Sequence, residues 1–291
     1  MPPARIAVLM ACHNRRALTL RCLAALAAQP LFSARRLWLV DDGSTDATGD
    51  AVRALLPQAQ VIAGSGDLFW NGGMRLAWAK ARASTEACDF FLWLNDDVEL
   101  AAEALAMLVA DADAVAPRGQ AVIIAAATTD PASGAVTYGA HRRVGGWRRL
   151  RLRLIEPDGA PQPADTISGN VVLVSAAAAA RLGSLDARYR HIYGDLDYGL
   201  RARREGIPVA LASRPAGRCA ANAVAGSSLD PRLSRLGRIR LRLREERGLH
   251  ARDWRCFVRA HGGGRLAVVA HTLSPYLRIL AGRPHPEGAP R

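Results

Sequence analysis

The sequence predicts an α/β protein with a mostly parallel sheet and helices on both of its faces. Apolar segments alternate with helical segments through the first hundred residues, and such alternation is typical of a parallel sheet. Three polar clusters come directly after apolar segments, as expected where parallel strands end at a ligand-binding crevice. We expect strands at 5–10, 36–40, 60–62 and 89–94, and helices at 16–28, 44–56 and 74–83.

Local residue types account for these elements. Residues 5–10 (RIAVLM) and 36–40 (RLWLV) are short apolar runs of strand length. Ser44 or Thr45 is the expected N-cap of the second helix, because either hydroxyl can accept a backbone hydrogen bond. Residues 63–73 are rich in glycine and predict a loop before the third helix.

From about residue 120 the pattern changes to shorter strand-like segments. They are expected at 121–127, 135–140, 150–155, 166–174, 207–212 and 217–221, with a helix at about 195–205. This pattern predicts a small antiparallel extension that covers one side of the crevice. We therefore divide the chain into a domain of residues 1–228, with halves 1–118 and 119–228, and a basic helical extension at 229–291.

Arginine carries almost all of the formal net charge of +13, since Lys80 is the only lysine. Residues 141–153 and 232–255 are arginine-rich, whereas charges in 1–130 are roughly balanced. Such blocks suit an anionic membrane surface, an acidic ligand or nucleic acid. Nucleic acid is disfavoured, because no aromatic stacking platform accompanies the basic run.

Two interpretations fit the helix expected at 232–247. Leu233, Leu236, Ile239 and Leu243 approximate one stripe, which could dock on the protein and leave the arginines in solvent. Alternatively, the arginines attach the protein peripherally to an anionic inner membrane face, near a lipid-linked acceptor. The apolar run 266–280 contains Pro275 and is too short to span a bilayer, so we expect it at the interface or docked.

Cysteine usage and the amino terminus predict a cytoplasmic protein. The five cysteines are odd in number, scattered and without a CxxC pair, as expected for free thiols in a reducing compartment. The first ten residues run into an apolar strand without the h-region and cleavage site of a signal peptide.

The polar clusters at the strand ends are the candidate site: His13-Asn14, Asp41-Asp42 and Asn95-Asp96-Asp97. A carboxylate pair at a strand end can bind Mg²⁺ or Mn²⁺ and leave positions for phosphate oxygens. The same pair could equally be a turn and helix cap. The chain has neither G-x-G-x-x-G after the first strand nor a G-x-x-x-x-G-K-[ST] loop, which disfavours dinucleotide and P-loop chemistry.

Five segments, in this order and at this spacing, resemble the inverting family-two glycosyltransferases over about residues 4–228. They are IAVLMACHNRRALTLRCLAAL, LWLVDDGSTDAT, FLWLNDDVEL, SGNVVLVSAAAAARLGSLD and YGDLDYGLRARREGIPV. The segment GDLFWNGGMRLAWAKA further resembles the branch that includes bacterial rhamnosyltransferases and similar cell-surface transferases. The resemblance implies a GT-A fold, a nucleotide-diphospho-sugar donor of UDP, dTDP or GDP type, and a role in cell-envelope polysaccharide or glycolipid synthesis.

The resemblance also implies roles for residues at the donor end. Asp41 would contact the base, Asp42 would support its loop, and Asp96 would lie near the ribose. Asp97 would ligate a Mg²⁺ or Mn²⁺ ion that bridges the diphosphate. The base would be framed by Ala11, His13 and Asn14, and the floor for sugar and diphosphate would be formed by Trp70, Asn71, Gly72 and Gly73.

At the acceptor end, the resemblance implies that Asp195 is the general base, with Asp197 as the rival and helix capping as a further role for both. His191 could contact acceptor or phosphate, or be structural, and the acceptor side would include Gly169 and Asn170. Three positions depart from the family: Asn95 stands where the first aspartate of a D-x-D motif is frequent, Gly194 stands where a glutamate is usual, and Asn222 stands near the place of a metal-binding histidine. A nucleotidyltransferase and a sugar-nucleotide-binding or membrane-peripheral protein without catalysis remain as alternatives.

Overall fold

Alternating apolar residues build a central sheet whose two faces are both buried. The computed structural model describes residues 2–145, 150–244 and 251–282. The first half contains β1 (Ile6–Cys12), α1 (Arg16–Ala27), β2 (Leu37–Asp41), α2 (Thr48–Leu55), β3 (Gln60–Ala63), α3 (Phe69–Ala83), β4 (Phe90–Leu94), β5 (Glu99–Leu100) and α4 (Ala104–Val115). Along β1, Val8 and Met10 join one core and Leu9 joins the other.

The second half completes this sheet and adds two small ones. Its elements are β6 (Ile123–Ala125), β7 (Thr128–Thr129), β8 (Val136–Tyr138), β9 (Ala140–Arg143), β10 (Leu152–Leu154), β11 (Gln162–Pro163), β12 (Thr166–Ile167), β13 (Val171–Ser175), α5 (Ala176–Leu182), α6 (Gly194–Arg204), β14 (Val209–Leu211) and β15 (Gly217–Arg218). The central order is β11-β14-β6-β13-β4-β1-β2-β3, in which β13 and β11 oppose the other strands.

The predicted α/β class is confirmed. Helices α1, α2 and α4 cover one face of the sheet and α3, α5 and α6 cover the other. The antiparallel extension is smaller than expected, because the segments at 121–127, 166–174 and 207–212 contribute β6, β13 and β14 to the central sheet. These three strands are buried on both faces, so they are stable inside the sheet rather than beside it.

Two predicted helix starts are wrong, for one physical reason. Helix α2 begins at Thr48, after Ala47, and its amides are met by Asp41 and Asp46 rather than by Ser44 or Thr45. The predicted loop 63–73 is helical from residue 69, because Asp42 accepts hydrogen bonds from the amides at 68 and 69. In both cases a carboxylate that precedes the helix in the sequence satisfies the first free N–H groups of the helix.

The carboxyl-terminal region is helical, as predicted, with α7 (Arg235–Arg244), α8 (Ala251–His261) and α9 (Arg265–Leu280). Of the two interpretations of α7, the docked leucine stripe is wrong: Leu236 and Leu243 are 67% and 56% exposed, whereas Arg238 and Arg242 are buried. The guanidinium of Arg238 donates to the Ser228 carbonyl oxygen at 2.9 Å, so a specific tertiary bond offsets its burial.

Helix α8 anchors this region on α6. Phe257 stacks on Tyr193, with ring centroids 5.1 Å apart, and lies in a small core with Leu196 and Leu200. Helix α9 packs on α8 and α7. Among the residues that the structure describes, no helix combines the length and apolar character needed to cross a bilayer.

Replacement by alanine should affect stability differently at two helical glycines, because Gly199 of α6 packs against β12, whereas a Cβ at Gly237 of α7 would meet a single side chain. A Cβ at Gly199 would lie 2.6 Å from Thr166 Oγ1 and 2.7 Å from its Cα. We expect Gly199→Ala to lower the free energy of unfolding by about 1–3 kcal/mol, because overpacking outweighs the helix propensity of alanine. In Gly237→Ala the new Cβ meets only the Ser234 hydroxyl, and the change should be neutral or stabilise by up to about 1 kcal/mol.

Urea denaturation of both variants measures this difference. A Gly199→Ala protein as stable as the Gly237→Ala protein would contradict the close approach of α6 to β12.

Candidate functional site

A cleft of about 790 Å³ opens where β1 and β4 end, and both halves of the domain line it. The first half contributes Ala11, Cys12, His13, Arg15, Asp42, Trp70, Asn95, Asp96 and Asp97. The second half contributes Tyr138, His141, Ser168, Gly169, Asn170, His191, Asp195 and Asn222. The predicted residues that lie outside this lining are Asn14, Asp41, Asn71, Gly72, Gly73 and Asp197.

A single guanidinium lies between the two adjacent carboxylates after β4. Arg15 Nη1 is 2.8 Å from Asp97 Oδ2 and 3.3 Å from Asp96 Oδ1. Burial raises the pKa of Asp96 to about 6, although the Arg15 charge acts in the opposite direction. The two carboxylates thus share one arginine, and an added cation would favour the ionised form of Asp96.

The donor set at Asp97 suits a cation that is shared with a ligand. Asp97 and Asn222 both line the cleft, and their side chains carry the oxygen atoms that Mg²⁺ and Mn²⁺ prefer as ligands. Within the described residues no three His, Cys, Asp or Glu side chains form a metal site. The residues therefore fit an ion that takes part of its ligands from a bound molecule, not a closed protein site.

Cys219 also lies at this point, with its Sγ 3.5 Å from Asp97 Oδ1. Burial, reinforced by the Asp97 charge, raises the pKa of the Cys219 thiol to about 12, so the thiol is neutral and donates to the carboxylate. The amide nitrogen of Asn170 lies 3.8 Å from the same sulfur.

The loops after β1 and β2 are tied together beside the cleft. His13 Nδ1 is 2.6 Å from the Asp42 carbonyl oxygen, and Asn14 Oδ1 accepts from the Thr45 amide at 2.7 Å. Asp41 accepts from the amides of Ser44 and Gly49 and so holds the start of α2. The contact of Asp41 with a nucleobase stays a prediction.

Asp42 is buried and organises the loop before α3. Its carboxylate accepts hydrogen bonds from the amides of Gly66, Leu68 and Phe69, at 2.8–2.9 Å. This contact sets the start of α3 and thereby the position of Trp70.

Trp70 connects α3 to the strand end that carries the carboxylates. Its Nε1 donates to Asn95 Oδ1 at 2.7 Å. Gly169 packs directly on the indole, since a Cβ there would lie 2.6 Å from the Trp70 ring. Asn95 thus holds the wall of the cleft through Trp70.

The next residues of α3 are structural. Asn71 is fully buried, and its side-chain amide donates to the carbonyl oxygens of Asp186 and Tyr189 at 3.0 and 2.8 Å. A Cβ at Gly73 would lie 2.7 Å from the Ala11 Cβ, so this glycine allows α3 to approach β1, and one at Gly72 would face Leu68.

Asp195 lies in the first turn of α6 and faces the cleft. Its two oxygens accept from the amides of Gly169 and Leu196, both at 2.8 Å. Burial raises the pKa of Asp195, and these two hydrogen bonds only partly oppose the effect. A carboxylate with a raised pKa in a cleft can act as a general base.

Asp197 belongs to a buried network on the other side of α6. It accepts from His261 Nε2 at 2.8 Å, Arg201 Nε at 2.8 Å and the Tyr189 hydroxyl at 3.1 Å. Burial by itself would raise the pKa of Asp197, but the hydrogen bonds from His261 and Arg201 lower it. These contacts favour Asp195 over Asp197 as the base.

The segment that carries His191 is held from two sides. Asn71 binds it from α3, and Asp253 of α8 accepts from the amides of Arg190 and His191 at 3.0 and 3.1 Å. The His191 ring lies 5.9 Å from the Phe69 ring, and the residue lines the cleft.

Sequence reasoning assigned no role in the transfer site to Arg15, Cys219, Asp253 or His261. The sequence signal that could have indicated Arg15 is its position directly after the first polar cluster, His13-Asn14. No local signal indicates Asp253 or His261, because both act on segments more than fifty residues away.

The model of glycosyl transferase family 2 matches residues 7–163. No protein among curated sequences matches the chain. Three solved structures are similar in fold. The chain is 12% identical to GalNAc-T7 with UDP, GalNAc and Mn²⁺, with a TM-score of 0.57; 95% of this chain but only 55% of the GalNAc-T7 chain is covered.

Two further similar structures are those of TarS and PcManGT. Residues 1–349 of TarS from S. aureus are 14% identical, with a TM-score of 0.54 and coverage of 93% of this chain and 72% of TarS. The mannosyltransferase PcManGT from Pyrobaculum calidifontis, in complex with GDP-Man and Mn²⁺, is 14% identical, with a TM-score of 0.54. The match covers 96% of this chain and 74% of the PcManGT chain. At these identities the similarity shows the fold alone.

The two aspartates of α6 should differ in their effect on stability. Asp197→Asn removes the partner of buried His261 and Arg201, so we expect a loss of about 3 kcal/mol. Asp195→Asn removes a carboxylate whose ionised form is disfavoured by burial but leaves one backbone amide without its acceptor, so we expect a smaller loss, of about 1 kcal/mol. Urea denaturation at neutral pH measures both.

The pH dependence of the free energy of unfolding supplies a second test of the role of Asp197. The folded pKa of Asp197 is lower than its unfolded value of about 3.9, so its stabilisation is present above that pH and is lost as pH falls through the folded pKa. Asp197→Asn should flatten the acid limb of the stability profile. An unchanged acid limb, or equal losses in both variants, would contradict the structural role of Asp197.

Proposed function

The chain belongs to glycosyl transferase family 2, as its sequence motifs predicted, and from this premise we propose an inverting transfer of a hexose from a nucleoside-diphosphate sugar to a hydroxyl group. The observation that carries the proposal is the cleft itself: Asp195 faces it from one half of the domain, and Arg15, Asp96 and Asp97 line it from the other. Such a transfer needs a base by the acceptor and positive charge by the leaving group.

Asp195 accepts the proton of the acceptor hydroxyl while the new bond forms at the anomeric carbon. The bond to the diphosphate breaks on the opposite face of the sugar, and the configuration inverts. The hydrogen bonds from Gly169 and Leu196 hold the Asp195 carboxylate in place for this proton transfer. Arg15, between the two aspartates, is placed to balance charge at the diphosphate end.

A divalent cation, Mg²⁺ or Mn²⁺, supplies positive charge to the diphosphate when it is bound. Asp97 is the protein ligand that we assign to it, together with the side-chain oxygen of Asn222. The sharing of one arginine by Asp96 and Asp97 supports this assignment. So does the presence of Mn²⁺ in the structures of GalNAc-T7 and PcManGT.

The acceptor is a saccharide or a lipid-linked saccharide, and the product a cell-envelope polysaccharide or glycolipid. We propose that the protein works in the cytoplasm, peripherally on the inner membrane face. The arginine-rich carboxyl-terminal helices support this location.

The competing candidate is a sugar-nucleotide-binding protein without catalysis, because Gly194 stands where relatives carry a glutamate. The structure shows a local reason for glycine at position 194, however. A Cβ at this position would collide with Asn71 Oδ1, and Asn71 holds the segment that precedes α6. Glycine therefore accommodates a structural asparagine, which does not require a loss of activity.

A donor screen tests the proposed function. We expect release of nucleoside diphosphate from one of a panel of UDP-, dTDP- and GDP-sugars, and a thermal shift with the same diphosphate that increases with Mn²⁺. Asp97→Asn should reduce the Mn²⁺-dependent shift. A panel that shifts the melting temperature without any released product would favour the non-catalytic binder, and no shift at all would contradict both.

The raised pKa of Asp195 predicts the pH profile of the reaction. A base works when it is deprotonated, so kcat should fall as pH drops through a pKa above the ordinary aspartate value of about 3.9. Asp195→Asn should lower kcat about 10²–10⁴-fold. Its thermal shift with donor diphosphate should stay near that of the unchanged protein. A variant that retains full kcat would exclude Asp195 as the base.

A further inference from the structure

Helix α9 exposes a stripe of large apolar side chains. Leu266, Val269, Leu273, Leu277 and Leu280 are each about half exposed or more, and Leu266 reaches 87%. Their spacing of three or four residues puts them on one face of the helix. Contiguous apolar surface of this kind usually marks a binding site for a partner or a membrane.

Helix α8, which packs on α9, presents exposed arginines. Arg252, Arg255 and Arg259 are exposed at helical spacing, while Phe257 and His261 bury the opposite face. In the described parts of residues 231–282 there are eleven arginines and one acidic residue, Asp253. Asp253 is buried and bound to two backbone amides, so it does not offset the charge of this surface.

An arginine-lined cavity of about 370 Å³ lies where α6 meets α8. Arg143, Arg203, Arg204 and Arg259 line it, with Asp165 as its carboxylate. Gly263 is also part of the lining, and the apolar stripe begins three residues later at Leu266. Guanidinium groups in such a cavity suit a phosphate group, which they bind through paired N–H donors.

We propose that α8 and α9 form the surface by which the protein binds an anionic phospholipid bilayer. The leucines of α9 enter the boundary between headgroups and acyl chains, and the arginines of α8 and of the cavity bind lipid phosphates. The proposal deepens the peripheral location given above by naming the surface that produces it.

Charge decides between this partner and a second copy of the chain. In a twofold dimer the same patch meets itself, so the α8 arginines would approach the arginines of the other copy. An anionic bilayer instead suits both the apolar stripe of α9 and the exposed arginines of α8.

Co-sedimentation of the full chain with lipid vesicles tests the proposal, without any sugar donor. We expect binding to vesicles that contain phosphatidylglycerol and little binding to phosphatidylcholine alone. Each arginine charge lost near an anionic surface lowers partitioning about fivefold, so Arg255→Gln/Arg259→Gln should weaken binding roughly thirtyfold. Leu273→Asp/Leu277→Asp should weaken it about tenfold or more.

Matched controls lie on the opposite part of the molecule, where Leu55→Asp and Arg21→Gln change exposed residues of the same types. Both should bind vesicles like the unchanged protein. Equal binding by the α8, α9 and control variants would overturn the proposal, as would absence of binding to phosphatidylglycerol vesicles. A dimer in light scattering that only the leucine variants disrupt, with vesicle binding unchanged, would assign the stripe to self-association instead.

Because the vesicle assay uses no sugar nucleotide, its failure would leave the proposed transfer untouched. Conversely, a failed donor screen would leave the membrane surface standing.

Discussion

The three hydrogen bonds accepted by buried Asp42 are the contact on which the site depends. They tie the end of β2 to the loop at 66–69 and thereby set where α3 begins. Two successive residues of α3 then act in opposite directions: Trp70 holds Asn95 beside the carboxylates, and Asn71 holds the segment before α6. One carboxylate thus connects the side of the cleft that carries Asp96 and Asp97 to the side that carries Asp195.

The side of the cleft that carries Asp195 is assembled from elements that are distant in sequence. The segment 186–193 is bound by Asn71 from α3 and by Asp253 from α8, and α6 is bound through Asp197 by His261. The carboxyl-terminal helices therefore support the helix that carries Asp195, although the family model ends at residue 163. If α9 lies on a membrane, the same helices connect the bilayer to the wall of the cleft.

Departures from the family pattern have local physical reasons. Asn95, where an aspartate is frequent, accepts the Trp70 indole hydrogen bond. Gly194 leaves room for Asn71, and Gly169 leaves room for the Trp70 ring. These positions form one packed unit, so their substitutions are explained together.

The sequence by itself determined the α/β class, the family and the meeting of polar clusters at the strand ends, because hydrophobic periodicity and strand direction are local and directional properties. It did not determine the starts of α2 and α3, the burial of Arg238 and Arg242, or the separate surroundings of Asp195 and Asp197. Three of these cases depend on a partner that lies ten or more residues away in the sequence: Asp42 for α3, Ser228 for Arg238, and His261 for Asp197. Only the tertiary structure decides such cases, since the free energy of a buried polar group is set by the partner that the fold brings to it.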